Sequence, residues 1–303
     1  RRVKEVMDVW FDSGAMPFAQ DAEERSNLKN SERFDLGKMY PADFISEALD
    51  QTRGWFYTLH AIGVLMGKGA AYRNVICLGL LMDKDGKKMS KSVGNVVDSW
   101  EAIEKHGADA LRLWMYSVNQ PGDSKNYDDK SVEEINRRLF NILDNVYSFL
   151  KLYANSDSSP LNPAPLGSDA DKEFKFATSS HILDKWIVAR LNELIDLTTK
   201  KLDAYNLIDP VRAIRDFVDD LSTWYLRRSR DRIKNGDKEA IGMLYFVLKT
   251  FAKILAPFAP FAAEDLYQKL RGEKDPESVH LEDWPFVNAD LLPLNPAPLG
   301  SDA

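Results

Sequence analysis

The stretch Asn74-Val75-Ile76-Cys77-Leu78-Gly79-Leu80-Leu81-Met82-Asp83-Lys84-Asp85-Gly86-Lys87-Lys88-Met89-Ser90-Lys91-Ser92-Val93-Gly94-Asn95 decides the reading of this chain. Its first part is a nearly continuous apolar run. Such runs suit strands buried on both faces of a parallel sheet. Its second part is polar and basic, with glycines near both ends, and reads as a long loop. Upstream, Ala42-Asp43-Phe44-Ile45-Ser46-Glu47 is a second strand expectation, and an apolar helical stretch follows from about Arg53 to Gly67. Strand, helix and strand at this spacing predict a βαβ crossover. Ligands of open α/β sheets sit beyond the carboxyl ends of the strands, where this loop begins.

Further upstream, Asp8-Val9-Trp10-Phe11-Asp12-Ser13-Gly14 is aromatic and ends in a turn signal, and Ala19 to Arg33 reads as a solvated loop. Downstream the pattern becomes helical. Helices are expected at Ser99 to Lys105, broken at Gly107, and from Ala108 to about Ser117. From Ser131 to Tyr153, the residues Val132, Ile135, Leu139, Ile142, Val146, Phe149 and Tyr153 alternate spacings of three and four. That is one apolar stripe on a long helix within a bundle. After His181 three stripes follow. They are Leu183, Ile187, Leu191 and Leu194; then Ile214, Phe217, Val218, Leu221 and Tyr225; then Leu244, Val247, Leu248, Phe251 and Leu255. Pro257 and Pro260 break the third, and Phe261 to Leu270 forms a short fourth helix. The fold class expected is therefore α/β followed by all-α, an up-down bundle with short connections.

The 303 residues suggest about two domains and can bury sizeable cores without disulfide or metal staples. The expected boundaries are 1–120 for the α/β part, 121–154 for a connecting stem, 155–171 for a linker, 172–286 for the bundle and 287–303 for a tail. The linker is rich in Ser, Asp and Pro. Its Pro160 to Ala170 recurs identically at Pro293 to Ala303, for which no physical account is evident. Cys77, the single cysteine, excludes an internal disulfide framework and reads as a buried small hydrophobe. One Cys and four scattered His offer no metal-ligand spacing. No apolar stretch reaches about 18 residues, so no membrane span is expected. A reducing, cytoplasmic setting fits. The start lacks both a signal peptide and an initiator Met, and the chain is expected to be a fragment beginning mid-protein. Net charge is −7, which argues mildly against general nucleic-acid binding but leaves room for a local basic patch.

Four blocks could carry chemistry. Lys88 and Lys91 put two ammonium groups three residues apart in a loop with the hydroxyls of Ser90 and Ser92; such lysines can neutralise phosphate, or simply face solvent. Ser46-Glu47-Ala48-Leu49-Asp50-Gln51-Thr52-Arg53-Gly54-Trp55-Phe56 follows a strand and opens a helix. Its Glu47 and Asp50 could bind an ammonium or ribose hydroxyls, with Gln51 as donor and acceptor, or could merely cap the helix. Trp10 and Trp55 could line a pocket or fill a core. Finally, residues 227–234 hold five basic groups, Arg227, Arg228, Arg230, Arg232 and Lys234, against one acid. Arginine forks suit phosphate, and equally suit salt bridges inside a bundle.

These blocks resemble the class I aminoacyl-tRNA synthetases in their isoleucine, valine and leucine branch. Lys88-Met89-Ser90-Lys91-Ser92 matches the KMSKS signature. The block from Glu47 is similar to the isoleucine enzymes' E-G-x-D-Q-x-R-G-W-F, with Ala48 in place of the usual Gly. Asp8 to Gly14 is similar to D-V-W-F-D-S-G, and Leu221-Ser222-Thr223-Trp224-Tyr225-Leu226-Arg227-Arg228 to the anticodon-binding L-S-x-W-Y-x-R-R. The resemblance covers about 1–153 and 172–286. It implies the second half of a Rossmann-like nucleotide-binding fold joined to a helical anticodon-binding domain. It implies that Lys88, Met89, Ser90, Lys91 and Ser92 bind ATP with Mg2+, with Lys88 and Lys91 catalytic, and that Glu47, Asp50, Gln51, Trp10 and Trp55 contact isoleucyl-adenylate. Arg227, Arg228, Arg230 and Arg232 would meet tRNA-Ile, and the protein would be a monomer. A valine-specific enzyme, a non-catalytic tRNA-binding fragment and an unrelated adenylyl transferase are the alternatives. His60, His106, His181 and His280 form no H-x-G-H motif and no editing domain is recognisable. The chain alone is therefore expected not to activate isoleucine.

Overall fold

A computed structural model describes residues 8–27, 40–154 and 179–287. The expected linker and most of the expected tail lie outside them. The described chain forms two compact units, residues 1–94 with 121–127, and residues 95–120 with 128–303.

In the first unit, strand β1 (Ala42–Ala48) pairs in parallel with β2 (Tyr72–Leu78), from Ala42 opposite Tyr72 to Ala48 opposite Leu78. Helix α2 (Trp55–Leu65) makes the crossover. Its Phe56 and Leu59 join Ile45 and Ala71 in a small buried core, with Trp55, Tyr72 and Cys77 half-buried around it. The expected βαβ unit is present. The expected single strand to Met82 is instead two, because Gly79 and Leu80 turn away before β3 (Leu81–Met82). β3 pairs in parallel with β4 (Lys125–Asn126). The Gly79 N–H donates to Pro121 O at 2.8 Å, and a Cβ at Gly79 would lie 2.4 Å from the Asp123 backbone. A glycine is required for that approach.

β2 is not buried on both faces: Val75 is 41% and Leu78 38% exposed, and Cys77 is half-buried. An apolar run identifies a strand, but burial depends on how many layers cover it. Each strand of this two-stranded sheet is an edge, and among the described residues its buried core is the small cluster at α2.

The expected turn at Gly14 and the expected loop from Ala19 are corrected as far as Asn27, while residues 28–33 lie outside the described residues. Helix α1 runs Val9–Asn27, through Ser13, Gly14 and Pro17. Asp8 starts it, its Oδ1 accepting the Trp10 N–H at 2.7 Å. Gly14 is no turn residue: it is buried against α2, and a Cβ there would lie 2.8 Å from the Thr58 Cβ. Close helix packing, which local composition does not report, keeps this segment helical.

The second unit is helical. Its first helices are α3 (Ser99–His106), capped by Asp98 and ended by Gly107 at φ 86°, and α4 (Ala108–Val118). The long helix expected from 131 to 153 is α5 (Asp129–Ile135) and α6 (Asn141–Ala154), joined without a break by a π turn at Asn136–Phe140. The π turn uses more residues per turn and rotates the inner face. Val132, Ile135, Leu139 and Val146 are buried as expected. The rest of the face is Leu143, Tyr147 and Leu150, while Ile142, Phe149 and Tyr153 lie at its half-buried margin.

Helices α7 (Ile182–Asp203), α8 (Ile208–Asp219), α9 (Arg227–Lys234), α10 (Lys238–Leu255) and α11 (Pro260–Leu270) complete the bundle. A second π turn, Asp220–Leu226, joins α8 to α9. Pro210 sits in the first turn of α8 and Pro260 opens α11. The predicted stripes are buried apart from Leu183, which is half-buried: Ile187, Ile214, Val218, Leu221, Tyr225, Leu244, Val247, Leu248, Phe251 and Leu255 are fully inaccessible. Asp109 of α4 reaches the start of α11, its Oδ2 accepting the Ala262 N–H at 2.8 Å. A C-terminal strap, residues 272–287, is tied down by Lys249–Asp275 at 2.6 Å, Lys253–Glu282 at 2.8 Å, and the Trp284 indole N–H donating to Thr199 Oγ1 at 2.8 Å.

Candidate functional site

β1 and β2 run in parallel, with Ala48 opposite Leu78, so both end at the same edge of their sheet. One candidate segment follows β1 directly, and the other follows β2 by way of the short β3. After β1 comes a 3-10 turn, Leu49–Arg53, then Gly54 and α2. Gln51 organises this turn. Its Oε1 accepts the Trp55 N–H at 3.0 Å, capping α2, and its Nε2 donates to Asp50 Oδ2 at 3.0 Å. Gln51 thus uses both ends of its amide internally, and in doing so orients the exposed Asp50 carboxylate. Glu47 is exposed as well.

Gly54 is the contact point of the cluster. A Cβ there would lie 2.7 Å from Gln51 Oε1 and 3.4 Å from the Trp10 ring. Trp10 is 41% exposed, so it covers Gly54 from the outside rather than filling a core. The Trp55 indole N–H donates to Ser13 O at 3.1 Å, which ties this edge to α1. The structure therefore gathers Trp10, Asp50, Gln51, Gly54 and Trp55 into one cluster. The role of Gly54 was not read from the sequence; among the residues that follow Gln51, only its lack of a side chain hints at the close approach.

After β2 and β3 the chain makes a hairpin. Asp83 builds it: its Oδ1 accepts the N–H groups of Asp85 and Lys87 at 3.0 and 2.8 Å, and its backbone N–H donates to Lys87 O at 2.9 Å. Gly86 takes the left-handed position at φ 76°. Lys88 bridges back to Met82 in antiparallel fashion. The next turn is held by Ser90 O, which accepts from Val93 and Gly94 N–H at 3.1 Å each, and by the 2.8 Å contact between the Ser90 and Ser92 hydroxyls. Lys88 and Lys91 are exposed, while Met89 and Ser90 are half-buried. The lysines do not join the Gly54 cluster; they stand on a hairpin that rises from β3, in the second two-stranded sheet. Lys125 in β4, beneath the hairpin, is partly buried, and desolvation lowers its pKa against the opposing pull of Asp123.

The arginine block divides by direction. Arg227, Arg228 and Arg230 are exposed. The Arg228 guanidinium lies 3.7 Å from the Trp224 ring centroid, and Arg230 5.7 Å from that of Phe149. Arg232 is turned into the bundle. It donates to both oxygens of Asp184 at 3.0 Å and to Asp237 at 2.9 Å. Burial alone would lower its pKa, but these carboxylates raise it further. Asp184 is fully buried and also accepts from Tyr225 Oη at 2.9 Å and Ser179 Oγ at 3.2 Å. Salt bridges inside the bundle are one of the two readings the sequence offers for these arginines, but Asp184 as the partner is not legible there. A single acid in the first turn of a helix looks like any cap.

Among the described residues, no three His, Cys, Asp or Glu side chains converge so as to hold a metal ion, and no helix is long and apolar enough to cross a membrane.

Residues 1–127 match the family described as tRNA synthetases class I (I, L, M and V), and residues 184–298 match the anticodon-binding domain of tRNA ligase. Among solved structures, the leucyl synthetase of Agrobacterium radiobacter K84, in a ternary complex with tRNA and LeuAMS, superposes with a TM-score of 0.71 at 20% identity, over 96% of this chain and 34% of that one. Mycobacterium tuberculosis methionyl-tRNA synthetase, in complex with methionyl-adenylate, gives 0.62 at 21% identity, over 91% and 56%. At such identities these two establish the fold, an α/β part followed by a helical part.

With both family models in chain order on this fold, the chain belongs to the class I aminoacyl-tRNA synthetases. Within the class its similarity is to isoleucine--tRNA ligases. It is 45% identical to that of Deinococcus radiodurans over 96% of this chain, 45% to that of Thermus thermophilus over 96%, and 44% to that of Clostridium tetani over 96%. The chain spans about a quarter of these relatives' length, 26% to 28%.

Proposed function

We propose that this chain is the adenylate-facing and RNA-facing portion of an isoleucine--tRNA ligase. The observation that carries the reading is the pairing of β1 with β2. It places the Gly54 cluster directly after β1, while the chain leaving the same end of β2 passes through the short β3 into the lysine hairpin; α/β folds bind nucleotides at such strand ends.

In this reading the carboxylate of isoleucine attacks the α-phosphate of ATP, which enters with Mg2+. The new acyl–phosphate bond forms as the bond to pyrophosphate breaks, and pyrophosphate leaves. Lys88 and Lys91 bind the departing negative charge more tightly in the transition state than in the ground state, lowering the barrier. Met89, Ser90 and Ser92 shape the hairpin and line the ATP side. Glu47 and Asp50 receive the amino group or the ribose hydroxyls. Gln51 holds Asp50 in place, and Trp10 and Trp55 bound the aliphatic side chain. The isoleucyl group then passes to the terminal ribose of tRNA-Ile, whose phosphates meet Arg227, Arg228 and Arg230. Arg232 acts from inside the bundle by fixing the helix that carries them. A cytoplasmic monomer suits this role, as do the domain limits 1–120, 121–154 and 172–286.

The test is ATP–pyrophosphate exchange. The isolated chain is expected to give none, since its four histidines supply no H-x-G-H motif. Substituted for the matching segment of the Deinococcus radiodurans enzyme, it should support exchange with isoleucine in preference to valine and leucine. Lys91→Ala in that chimera should lower kcat about a hundred- to a thousandfold. Exchange by the isolated chain, or a chimera preferring valine, overturns the assignment.

A further inference from the structure

We infer that Asn126 is a further phosphate-binding residue, whose amide joins the Lys88 ammonium in holding the pyrophosphate group. The inference rests on the adenylate-facing reading above and deepens it.

Met82 stands between two partners. On one side it pairs in parallel with Asn126, and on the other it bridges in antiparallel fashion to Lys88. Residues directly opposite one another on neighbouring strands project from the same face of a sheet. Asn126, Met82 and Lys88 therefore form one row, although β4 is far from the hairpin in sequence. With neighbouring strands about 4.8 Å apart, the two ends of the row are roughly 10 Å apart at the backbone.

β4 is held on both sides of Asn126. The Lys125 N–H donates to Leu80 O and the Tyr127 N–H to Met82 O, each at 2.9 Å. Tyr127 turns inward and is buried, so its neighbour Asn126 turns outward and is exposed. The close approach of Gly79 to Asp123 and Ser124 fixes the chain just before β4.

Asparagine packs poorly on a pleated surface and is depleted in strands. Among the described residues, the Asn126 amide has no hydrogen-bond partner. Its neighbour is the hairpin tip: a Cβ at Gly86 would lie 3.5 Å from Asn126 Nδ2. A longer side chain at this left-handed position would lie over the amide, and glycine leaves it open. An asparagine amide offers two N–H donors and a lysine ammonium three. The short amide and the long ammonium, reaching toward each other across Met82, leave room for one phosphate group between them. Lys88 supplies charge, and Asn126 supplies direction through a charge-assisted hydrogen bond without a second cation.

The experiment measures binding of inorganic pyrophosphate to the whole chain by equilibrium dialysis, and the KM for pyrophosphate in exchange by the Deinococcus radiodurans chimera. Asn126→Ala should weaken binding and raise that KM about ten- to a hundredfold, with the KM for isoleucine changed less than twofold. Asn126→Asp keeps the shape but replaces donors with negative charge, so it should be worse than alanine. Asn126→Lys should recover pyrophosphate binding, which a merely structural role would not allow. Lys88→Ala combined with Asn126→Ala should lose less than the product of the two separate fold-changes, because both hold the same phosphate.

Parent-like pyrophosphate binding by Asn126→Ala and Asn126→Asp overturns the role of Asn126, while exchange by the chimera leaves the isoleucine reading standing. Equal losses in the Ala, Asp and Lys variants, with the KM for isoleucine raised alongside, assign Asn126 to the fold alone and also overturn it. If the chimera gives no exchange, the isoleucine reading falls by itself, and dialysis on the whole chain still decides Asn126. A parent chain that does not bind pyrophosphate ends the inference as well.

Discussion

Asp184 and Arg232, 48 residues apart in sequence, meet through two hydrogen bonds of 3.0 Å in the interior of the bundle. The carboxylate has no solvent access, while the arginine side chain keeps 19% of its own. Removing one partner of such a pair strands the other, which costs about 3–5 kcal/mol. Asp184→Asn and Arg232→Met are each expected to lower unfolding free energy by about 3 kcal/mol in urea denaturation. The double variant should cost less than the sum, because the second change removes the stranded charge. Additive losses would mean the pair does not act as one unit.

Asp237 links the same arginine to a helix start. Its Oδ1 accepts from Glu239 and Ala240 N–H at 3.0 and 3.2 Å, and its Oδ2 accepts from Arg232 Nε at 2.9 Å. Burial opposes ionisation, but the Ala240 N–H and Arg232 outweigh it and hold the carboxyl below its usual range. A depressed folded pKa means stability that is present above the unfolded value, about 3.9. That stability is lost as pH falls through the lower folded value. Thermal melts should therefore show an acid limb below about pH 4, and Asp237→Asn should flatten it. An unchanged limb in that variant would assign acid unfolding elsewhere.

Gly14 separates α1 from α2 by the width of a missing methyl group. With Thr58 Cβ 2.8 Å from the position a Cβ would take, Gly14→Ala must push the helices apart. Overpacking of this kind costs about 1–3 kcal/mol. The helix propensity of alanine would return about 1 kcal/mol at an unstrained site, so a net gain in stability for Gly14→Ala would contradict the close packing.

Gln51 and Gly54 offer a paired test of the cluster. Gln51→Ala removes the acceptor of the Trp55 N–H and should cost about 1 kcal/mol, as loss of a helix cap does. Gly54→Ala leaves Gln51 in place chemically but puts a methyl 2.7 Å from its Oε1 and 3.4 Å from Trp10. In the exchange-competent chimera both should raise the KM for isoleucine, and Gly54→Ala alone should also alter tryptophan fluorescence through Trp10. Equal spectra for the two variants would separate Trp10 from the site.

Much of this molecule was legible residue by residue. Apolar spacing located α7, α8 and α10, because a helix that buries one face must repeat its apolar side chains with the helical period. Proline and glycine marked the breaks at Gly107, Pro257 and Pro260 for local reasons. The lysine pair, the acidic turn and the arginine block could be found as chemistry without coordinates. Long-range packing was not legible. Ser13-Gly14 reads as a turn until Thr58 is placed against it, and the π turn at 136–140 changes which of Ile142 and Leu143 faces inward.

The order of its parts, the βαβ unit, the bundle and the residues that could carry charge to a nucleotide follow from sequence alone. Each depends on local period, local chain geometry or side-chain type. Only the tertiary structure decided that Arg232 faces Asp184 while Arg228 faces solvent, that Gln51 uses its amide to hold its own turn, and that Gly14, Gly54 and Gly79 are points of close approach. Those outcomes depend on partners distant in sequence. A side chain's type sets what it can bind, but the neighbours brought to it by folding decide whether that capacity is used inside the protein or left for a ligand.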